Sequence, residues 1–164
     1  VEALRRIGLR LLAALGSAPR STVLLVPIDG DRAVIDLGRA LGETLADFGG
    51  DAVFYRPVVL PGRRIRYESE SFSRTVGAEV PATPAHDGGT GTRRWEVSLI
   101  GLASALTAEE TAELHRRGDA VLLVARDPEA SAEHLPELRE HLEPVLAKVV
   151  GFVVVEGGRD AKTP

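Results

Sequence analysis

The 164-residue sequence predicts an α/β fold in which helices cover both faces of a mostly parallel, doubly wound sheet, giving three layers. Three observations support this. Aliphatic segments recur along the chain, and the first of them shows no polar alternation, as expected for strands covered on both faces. Amphipathic helical segments separate most of them, and Gly or Pro stands at their boundaries. We therefore predict a single domain over residues 1–164.

The N-terminal part predicts two helices and two strands. Apolar residues at helical spacing indicate a helix over about 2–16, which ends in the segment "GSAPR". The segment "STVLLVPI" (21–28) is the first predicted strand. A second helix, over about 33–48, ends at Gly49 and Gly50, and "DAVFY" (51–55) is the second strand.

From about 56 to 94 the chain is predicted to leave the sheet as a surface excursion. The segment "RIRYESESF" (64–72) alternates apolar and polar residues as an edge strand would, and 81–92 is predicted to be a loop. Its arginines could bind phosphate, an anionic lipid surface or an acidic partner. Alternatively, Glu68, Glu70 and Glu79 could neutralise them within the chain. The six arginines concerned are Arg63, Arg64, Arg66, Arg74, Arg93 and Arg94.

The C-terminal part returns to regular alternation. The strands are "WEVSLIGL" (95–102), "DAVLLVA" (119–125) and "KVVGFVVVEG" (148–157). Thr107 and Glu110 form a predicted capping box at the start of a short helix that ends at Gly118. A further helical stretch from about 126 to 147 is predicted to bend at its prolines. Its inward-facing residues are Leu135, Leu138, Leu142, Val145 and Leu146.

Composition excludes several functions. A formal charge of −4 argues against nucleic acid as a partner, and the absence of cysteine excludes thiol chemistry. No apolar run approaches the roughly 20 residues that cross a bilayer. The first residue is Val1, so we expect a piece of a longer protein, and a membrane contact only through other parts of that protein.

The histidines have structural interpretations. His115 lies next to Arg116 and Arg117 at a predicted helix C-terminus. We interpret it as a positive charge that interacts favourably with the helix dipole. His134 and His141 lie seven residues apart, whereas zinc-binding pairs on a helix are usually three or four apart, so we expect a solvated face and no metal site.

Ligands in open α/β sheets bind beyond the carboxyl ends of the strands, here at the predicted loops 27–33, 56–60, 101–106 and 125–128. The segment "VLLVPIDGDRAVIDLGRALG" (23–42) has the strand, turn and helix of a phosphate-binding loop. It lacks the lysine that such a loop needs. The two lysines of the chain, Lys148 and Lys162, lie elsewhere in any alignment.

The order "EALRRIGLRLLAAL", "STVLLV", "WEVSLIGL", "DAVLLVA", "VVGFVVVEG" resembles the cytoplasmic domain of the bacterial tyrosine kinases of capsular and exopolysaccharide synthesis. These are deviant-Walker ATPases of the ParA and MinD type. The resemblance implies a Rossmann-like, P-loop NTPase-like fold. In those kinases an E-x-x-R-x-x-R helix helps subunits to pack. Here Glu2 and Arg5 match that motif, and Gly8 replaces the second arginine.

The chain departs from the motifs of that family at each catalytic position. An ungapped comparison places "PIDGDRAVID" (27–36) on the Walker A segment, with Val34 in the lysine position and Ile35 and Asp36 in the hydroxyl positions. The two strands that should end in Asp are followed by Arg56 and Pro57 or end at Gly101. The C-terminal tyrosine cluster is absent. The residues of the vestigial phosphate loop are Asp29, Gly30, Asp31, Arg32 and Val34.

Phosphoryl transfer depends on positioning and charge neutralisation by these missing parts, so we expect a pseudoenzyme without catalytic residues or a cofactor, ATP and Mg²⁺ included. The resemblance implies an interaction or regulatory module in cell-surface polysaccharide biosynthesis, such as lipopolysaccharide chain-length determination. Its partner would be a second copy, contacted through Glu2 and Arg5, or a membrane protein of polysaccharide assembly. The alternative is an atypical nucleotide sensor or NTPase that binds phosphate through Arg32, Arg56 and Arg126. A third interpretation is that the segment 23–42 is an ordinary β–α turn and that the chain is an α/β domain unrelated to these kinases.

Overall fold

The computed structural model describes residues 1–74, 94–104, 107–127 and 148–156, with a few single positions between 128 and 147. Several predictions lie outside the described residues: the loop at 81–92, most of the helical stretch from 126 to 147, and the surroundings of Glu79, Arg93, His134 and His141. Within the described part, the helices and strands follow the predicted order. The helices are α1 (Glu2–Leu15), α2 (Asp31–Asp47) and α3 (Ala108–Arg117). The strands are β1 (Arg20–Pro27), β2 (Asp51–Leu60), β3 (Arg64–Ser73), β4 (Glu96–Gly101), β5 (Ala120–Ala125) and β6 (Val149–Val154).

The six strands form one sheet in the order β3-β2-β4-β1-β5-β6. All neighbouring pairs are parallel except β2 and β3, which are antiparallel. In the centre, Leu24 of β1 is paired with Ile100 of β4 on one side and with Val121 of β5 on the other. The chain is therefore an α/β protein with a mostly parallel sheet, as the aliphatic segments predict.

The predicted end of β2 at residue 55 is wrong, and so is the predicted binding loop at 56–60. The strand continues to Leu60 and is paired along its whole length with β3, so the excursion begins as a β-hairpin. Its turn contains Gly62 and Arg63, both with positive φ. The parallel pairing of β2 with β4 ends at Tyr55, so Pro57 lies where a missing N–H breaks no bond on that side. The predicted edge strand at 64–72 is confirmed as β3.

The core consists of two clusters of buried side chains that share β1. Val23 and Leu25 belong to the cluster that contains Leu11 of α1 and the apolar face of α2. Leu24 and Val26 belong to the other, against which Leu114 of α3 packs. Successive residues of a strand point to opposite sides, which explains this division.

Helix α1 packs against α2 through a close contact at Gly8. A Cβ atom built on Gly8 would lie 2.8 Å from Cε2 of Phe48, so the ring occupies the space of a larger side chain. The Arg5 guanidinium lies 5.8 Å from the centroid of the same ring, and Glu2 forms an ion pair with Arg6 at 3.3 Å. Both side chains of the predicted oligomer contact are thus engaged within their own chain.

The arginines of the hairpin and its surroundings are largely paired with carboxylates. Arg56 and Arg66 both bind Glu68. Further pairs join Arg39 to Glu70, Arg74 to Asp47 and Arg94 to Asp51. Neutralisation by the glutamates of the excursion, the second of the two alternatives, therefore describes Arg66, whereas Arg74 and Arg94 are paired with aspartates outside the excursion. Within the part of the chain that the structure describes, no helix has the length and apolar character to span a membrane.

Candidate functional site

Three loops meet at the end of the sheet where β1, β4 and β5 terminate. Because β1 lies between β4 and β5, the loop at 28–30 runs between the loops that follow these two strands. The backbone N–H of Ile28 donates to the carbonyl of Val124 at 2.9 Å. On the other side, the N–H of Leu102 donates to the carbonyl of Leu25, also at 2.9 Å. This junction is where open α/β sheets bind ligands.

The carboxylate of Asp29 binds the loop that follows β5. Its oxygens accept hydrogen bonds from the backbone N–H of Arg126 at 2.8 and 2.9 Å, and from that of Asp127 at 2.6 Å. Two successive N–H groups that converge on one anion form the kind of concave site that binds phosphate in other proteins. Here an acidic side chain of the same chain occupies it, through short, charge-assisted hydrogen bonds.

Asp31 makes the corresponding contact on the opposite side. Its carboxylate accepts a hydrogen bond from the backbone N–H of Ser104, after β4, at 2.9 Å. Gly30 lies between the two aspartates with φ 150° and ψ 153°, a conformation that favours glycine. The segment Asp29–Asp31 therefore ties together the loops that follow β4 and β5.

Val34, in the position of the expected lysine, is part of the core. Its side chain is fully buried in the first turns of α2. A Cβ atom built on Gly101 would lie 2.8 Å from Cγ1 of Val34, so this side chain packs directly against the end of β4. A side chain at position 34 thus points into the protein and not toward the three loops.

The three arginines proposed as anion ligands are not equivalent. Arg32 in the first turn of α2 and Arg126 after β5 are both exposed, next to the Asp29–Asp31 segment. Arg56 lies on β2, two strands away from β1, and binds Glu68. Hydrogen bonds from Arg56 and then Arg66 lower the pKa of the Glu68 carboxyl below its usual value, so Arg56 remains paired with an ionised partner near neutral pH.

His115 is a buried residue whose role was predicted incorrectly. Its side chain is 4% exposed, and neither ring nitrogen has a hydrogen-bond partner among the residues that the structure describes. Burial, and secondarily the charge of Lys148, lowers its pKa, so it is neutral at pH 7 and does not act as a positive charge at the helix end. The neighbours Arg116 and Arg117 are exposed in the last turn of α3, as predicted.

Elsewhere, a cavity of about 420 Å³ lies between β3 and α3, lined by Ile65, Tyr67, Glu109, Glu110, Glu113 and Leu114. Burial, and secondarily the charge of Glu110, raises the pKa of Tyr67. Glu110 already closes the predicted capping box with Thr107, and Glu113 binds Arg116 and Arg117. Across the described residues, no three His, Asp or Glu side chains converge as a metal site.

Asp29 and Asp31 are predicted as residues of a vestigial phosphate loop, and the sequence does not indicate their partners. In the structure, each carboxylate accepts backbone hydrogen bonds. Two aspartates that flank a glycine directly after a buried strand are the signal for such a role, because short carboxylates readily bind nearby backbone N–H groups.

No protein-family model, curated protein or solved structure matches this chain.

Proposed function

We propose that the chain is a catalytically inactive domain of tyrosine-kinase-like architecture that acts through protein contacts and not through nucleotide turnover. The observation that carries this proposal is the use of Asp29 and Asp31 as internal ligands. The backbone N–H groups of Ser104, Arg126 and Asp127, which converge on the junction of the three loops, are bound by the chain's own carboxylates. A phosphate that binds these groups would have to displace one of the two carboxylates and would be repelled by the other.

The fold proposed for this domain is a three-layer, doubly wound, P-loop NTPase-like sheet. In support, alternate residues of β1 enter two different clusters, one with α1 and α2 and the other with Leu114 of α3. The connection from β1 to β2 runs toward one edge of the sheet, and the connection from β5 to β6 runs toward the opposite edge. A reversal of this kind beside β1 is the feature that creates a binding crevice in doubly wound sheets.

Loss of the side-chain parts of a phosphoryl-transfer site also supports the proposal. Val34 is buried in the position of the Walker lysine. Mg²⁺ prefers several hard oxygen ligands, but β4 ends at Gly101 and β2 carries Arg56 and Pro57 where carboxylates would be needed.

The biological setting follows from the resemblance to the bacterial tyrosine kinases. We place the domain in the assembly or export of cell-surface polysaccharides, as a cytoplasmic part of a larger inner-membrane protein or complex. Its partner in this setting is a second copy of the chain or a membrane protein of the assembly.

Calorimetric titration with ATP and ADP, each with and without Mg²⁺, tests the proposal. We expect no saturable heat at millimolar nucleotide and no release of phosphate from ATP. Binding tighter than about 100 µM, which corresponds to roughly −5.5 kcal/mol, would contradict an inactive loop.

A second candidate function is a nucleotide sensor, favoured by the exposure of Arg32 and Arg126 beside the junction. It predicts saturable binding that weakens about tenfold or more in the Arg32→Ala variant. Arg10→Ala, which removes an exposed arginine from α1, is the control. Binding that is equally strong in both variants would exclude Arg32 as a ligand.

A further inference from the structure

A second cavity lies at the end of the sheet opposite to the three loops, where β1 and β4 begin. Its volume is about 300 Å³. It is bounded by the last turn of α1, the link from α1 to β1 and the start of β4, and all of its lining residues belong to the described part of the chain. It shares no residue with the cavity between β3 and α3.

The walls of this cavity are mostly apolar. Leu12 and Leu15 come from α1, Val97 from β4, and Pro19 and Trp95 from the segments that precede β1 and β4. The side chains of Leu12, Leu15 and Trp95 are partly buried against the core, and Val97 belongs to it. The cavity is therefore an extension of the core that is open to solvent.

The indole ring of Trp95 is held in place by the chain around it. It lies so close to Gly50 that a Cβ atom at this position would overlap with the ring, so Gly50 provides the space in which the ring lies. The backbone N–H of Glu96 donates to the carbonyl of Pro19 at 2.9 Å, and the carbonyl of Trp95 accepts from the N–H of Asp51 at 3.0 Å. One wall of the cavity is thus preformed.

A buried serine contributes the polar group of the cavity. Ser21 is 6% exposed and is the only buried polar residue of the lining. Val23 and Leu25 enter the core cluster that contains Leu11 of α1, so the side chain of Ser21 points to the same side of the sheet, where the cavity lies. Its hydroxyl forms no hydrogen bond within the described residues. A buried hydroxyl without a partner is unfavourable, and a ligand that binds it removes this penalty.

The charged side chain of the lining is already paired. Nε of Arg94 lies 2.9 Å from a carboxylate oxygen of Asp51, and Nη2 donates to the hydroxyl of Ser73, also at 2.9 Å. An anionic ligand would have to compete with Asp51, and a cationic ligand would find no free carboxylate in the lining. The cavity therefore favours a neutral ligand.

We infer that this cavity binds a small, neutral aromatic molecule of about two rings that carries one hydroxyl group. A cavity of about 150 Å³ in another protein holds benzene, so about 300 Å³ has room for a second ring. The ligand ring packs against the Trp95 indole in an offset or edge-to-face arrangement, and its hydroxyl binds Ser21. Water is a poorer occupant, because a buried water needs about two to four polar partners. This site is independent of the three loops at the other end of the strands.

Titration with indan-5-ol tests the inference. Trp95 reports on binding, because it is the single tryptophan of the chain and lines the cavity. We expect a saturable change in its fluorescence, with a dissociation constant on the order of 100 µM for a ligand of about ten non-hydrogen atoms. Indane, which lacks the hydroxyl, should bind about three- to tenfold more weakly. A change that never saturates, or equal affinities for the two compounds, would overturn the inference.

Three variants locate the ligand. Ala18→Phe places a ring at the exposed mouth of the cavity and should weaken binding of indan-5-ol at least tenfold. The matched control is Ala13→Phe, at an exposed position of α1 outside the lining, and it should bind like the wild type. Ser21→Ala should remove the preference for indan-5-ol over indane and leave the affinity for indane unchanged. Circular dichroism confirms that each variant is folded. If folded Ala18→Phe binds as tightly as its control, the ligand lies elsewhere and the inference is wrong.

Discussion

The carboxylate of Asp29 accepts hydrogen bonds from the backbone N–H of Arg126, at 2.8 and 2.9 Å, across 97 residues of sequence. This contact fixes the loop after β1 to the loop after β5. Together with the contact of Asp31 and Ser104, it explains how two acidic side chains are accommodated on either side of Gly30. Each carboxylate is an acceptor for backbone N–H groups of a neighbouring loop.

Replacing Asp29 with Ala should lower the free energy of unfolding by about 1–3 kcal/mol, because charge-assisted hydrogen bonds to two backbone N–H groups are lost. Urea denaturation measures this. The control is Asp36→Ala, which removes an exposed carboxylate from α2 and should change stability by less than about 0.5 kcal/mol. Equal stabilities of the two variants would show that the Asp29 contact contributes nothing measurable.

A lysine introduced at position 34 should not create a nucleotide site. Val34→Lys places an ammonium group at a fully buried position, so we expect a loss of about 3 kcal/mol or more in stability and no ATP binding by calorimetry. Arg32→Lys, at the exposed neighbouring position, should be nearly neutral. A folded Val34→Lys protein that binds ATP would contradict the burial of this position and the inactive function together.

Local patterns predicted the sheet well where the strands are continuous aliphatic runs, as in β1 and β5. They failed at β2, because "RPVVLPG" has the prolines and glycine of a loop. Pro57 lies beyond Tyr55, the last residue of β2 that pairs with β4, and is held in the strand by its pairing with Tyr67 of β3.

The contacts at the junction were beyond sequence reasoning for a related cause. Asp29 and Asp31 bind groups 97 and 73 residues away, and no local spacing indicates such distant partners. Likewise, the burial of His115 depends on how α3 packs, whereas its sequence position next to two arginines indicates an exposed helix end.

Replacing Gly8 with arginine, the residue that the resemblance leads us to expect at this position, should destabilise the domain. In Gly8→Arg the new Cβ atom would lie 2.8 Å from Cε2 of Phe48, so the ring or the two helices must shift. We expect a loss of about 2 kcal/mol or more, measured by thermal or urea unfolding. Leu9→Arg, at a position that is 56% exposed, is the control and should stay within about 0.5 kcal/mol of the wild type. If Gly8→Arg is as stable as this control, the helix contact is looser than the structure indicates.

His115 should make the stability of the domain depend on pH. Burial lowers its pKa below the value of 6.5 that it has in the unfolded chain, so between those two pKa values the unfolded state binds more protons than the folded state. Stability is then highest above pH 6.5 and falls as the pH drops toward the lower pKa.

Replacement of His115 by Leu removes the titration and two buried nitrogen atoms that have no partner within the described part of the chain. We expect this variant to gain about 1–3 kcal/mol in stability, and the gain should be largest in acid. Urea denaturation of both proteins at pH 8 and pH 5 measures the difference, and the other three histidines cancel because both proteins contain them. Parallel losses of stability between the two pH values would show that His115 is not the titrating group.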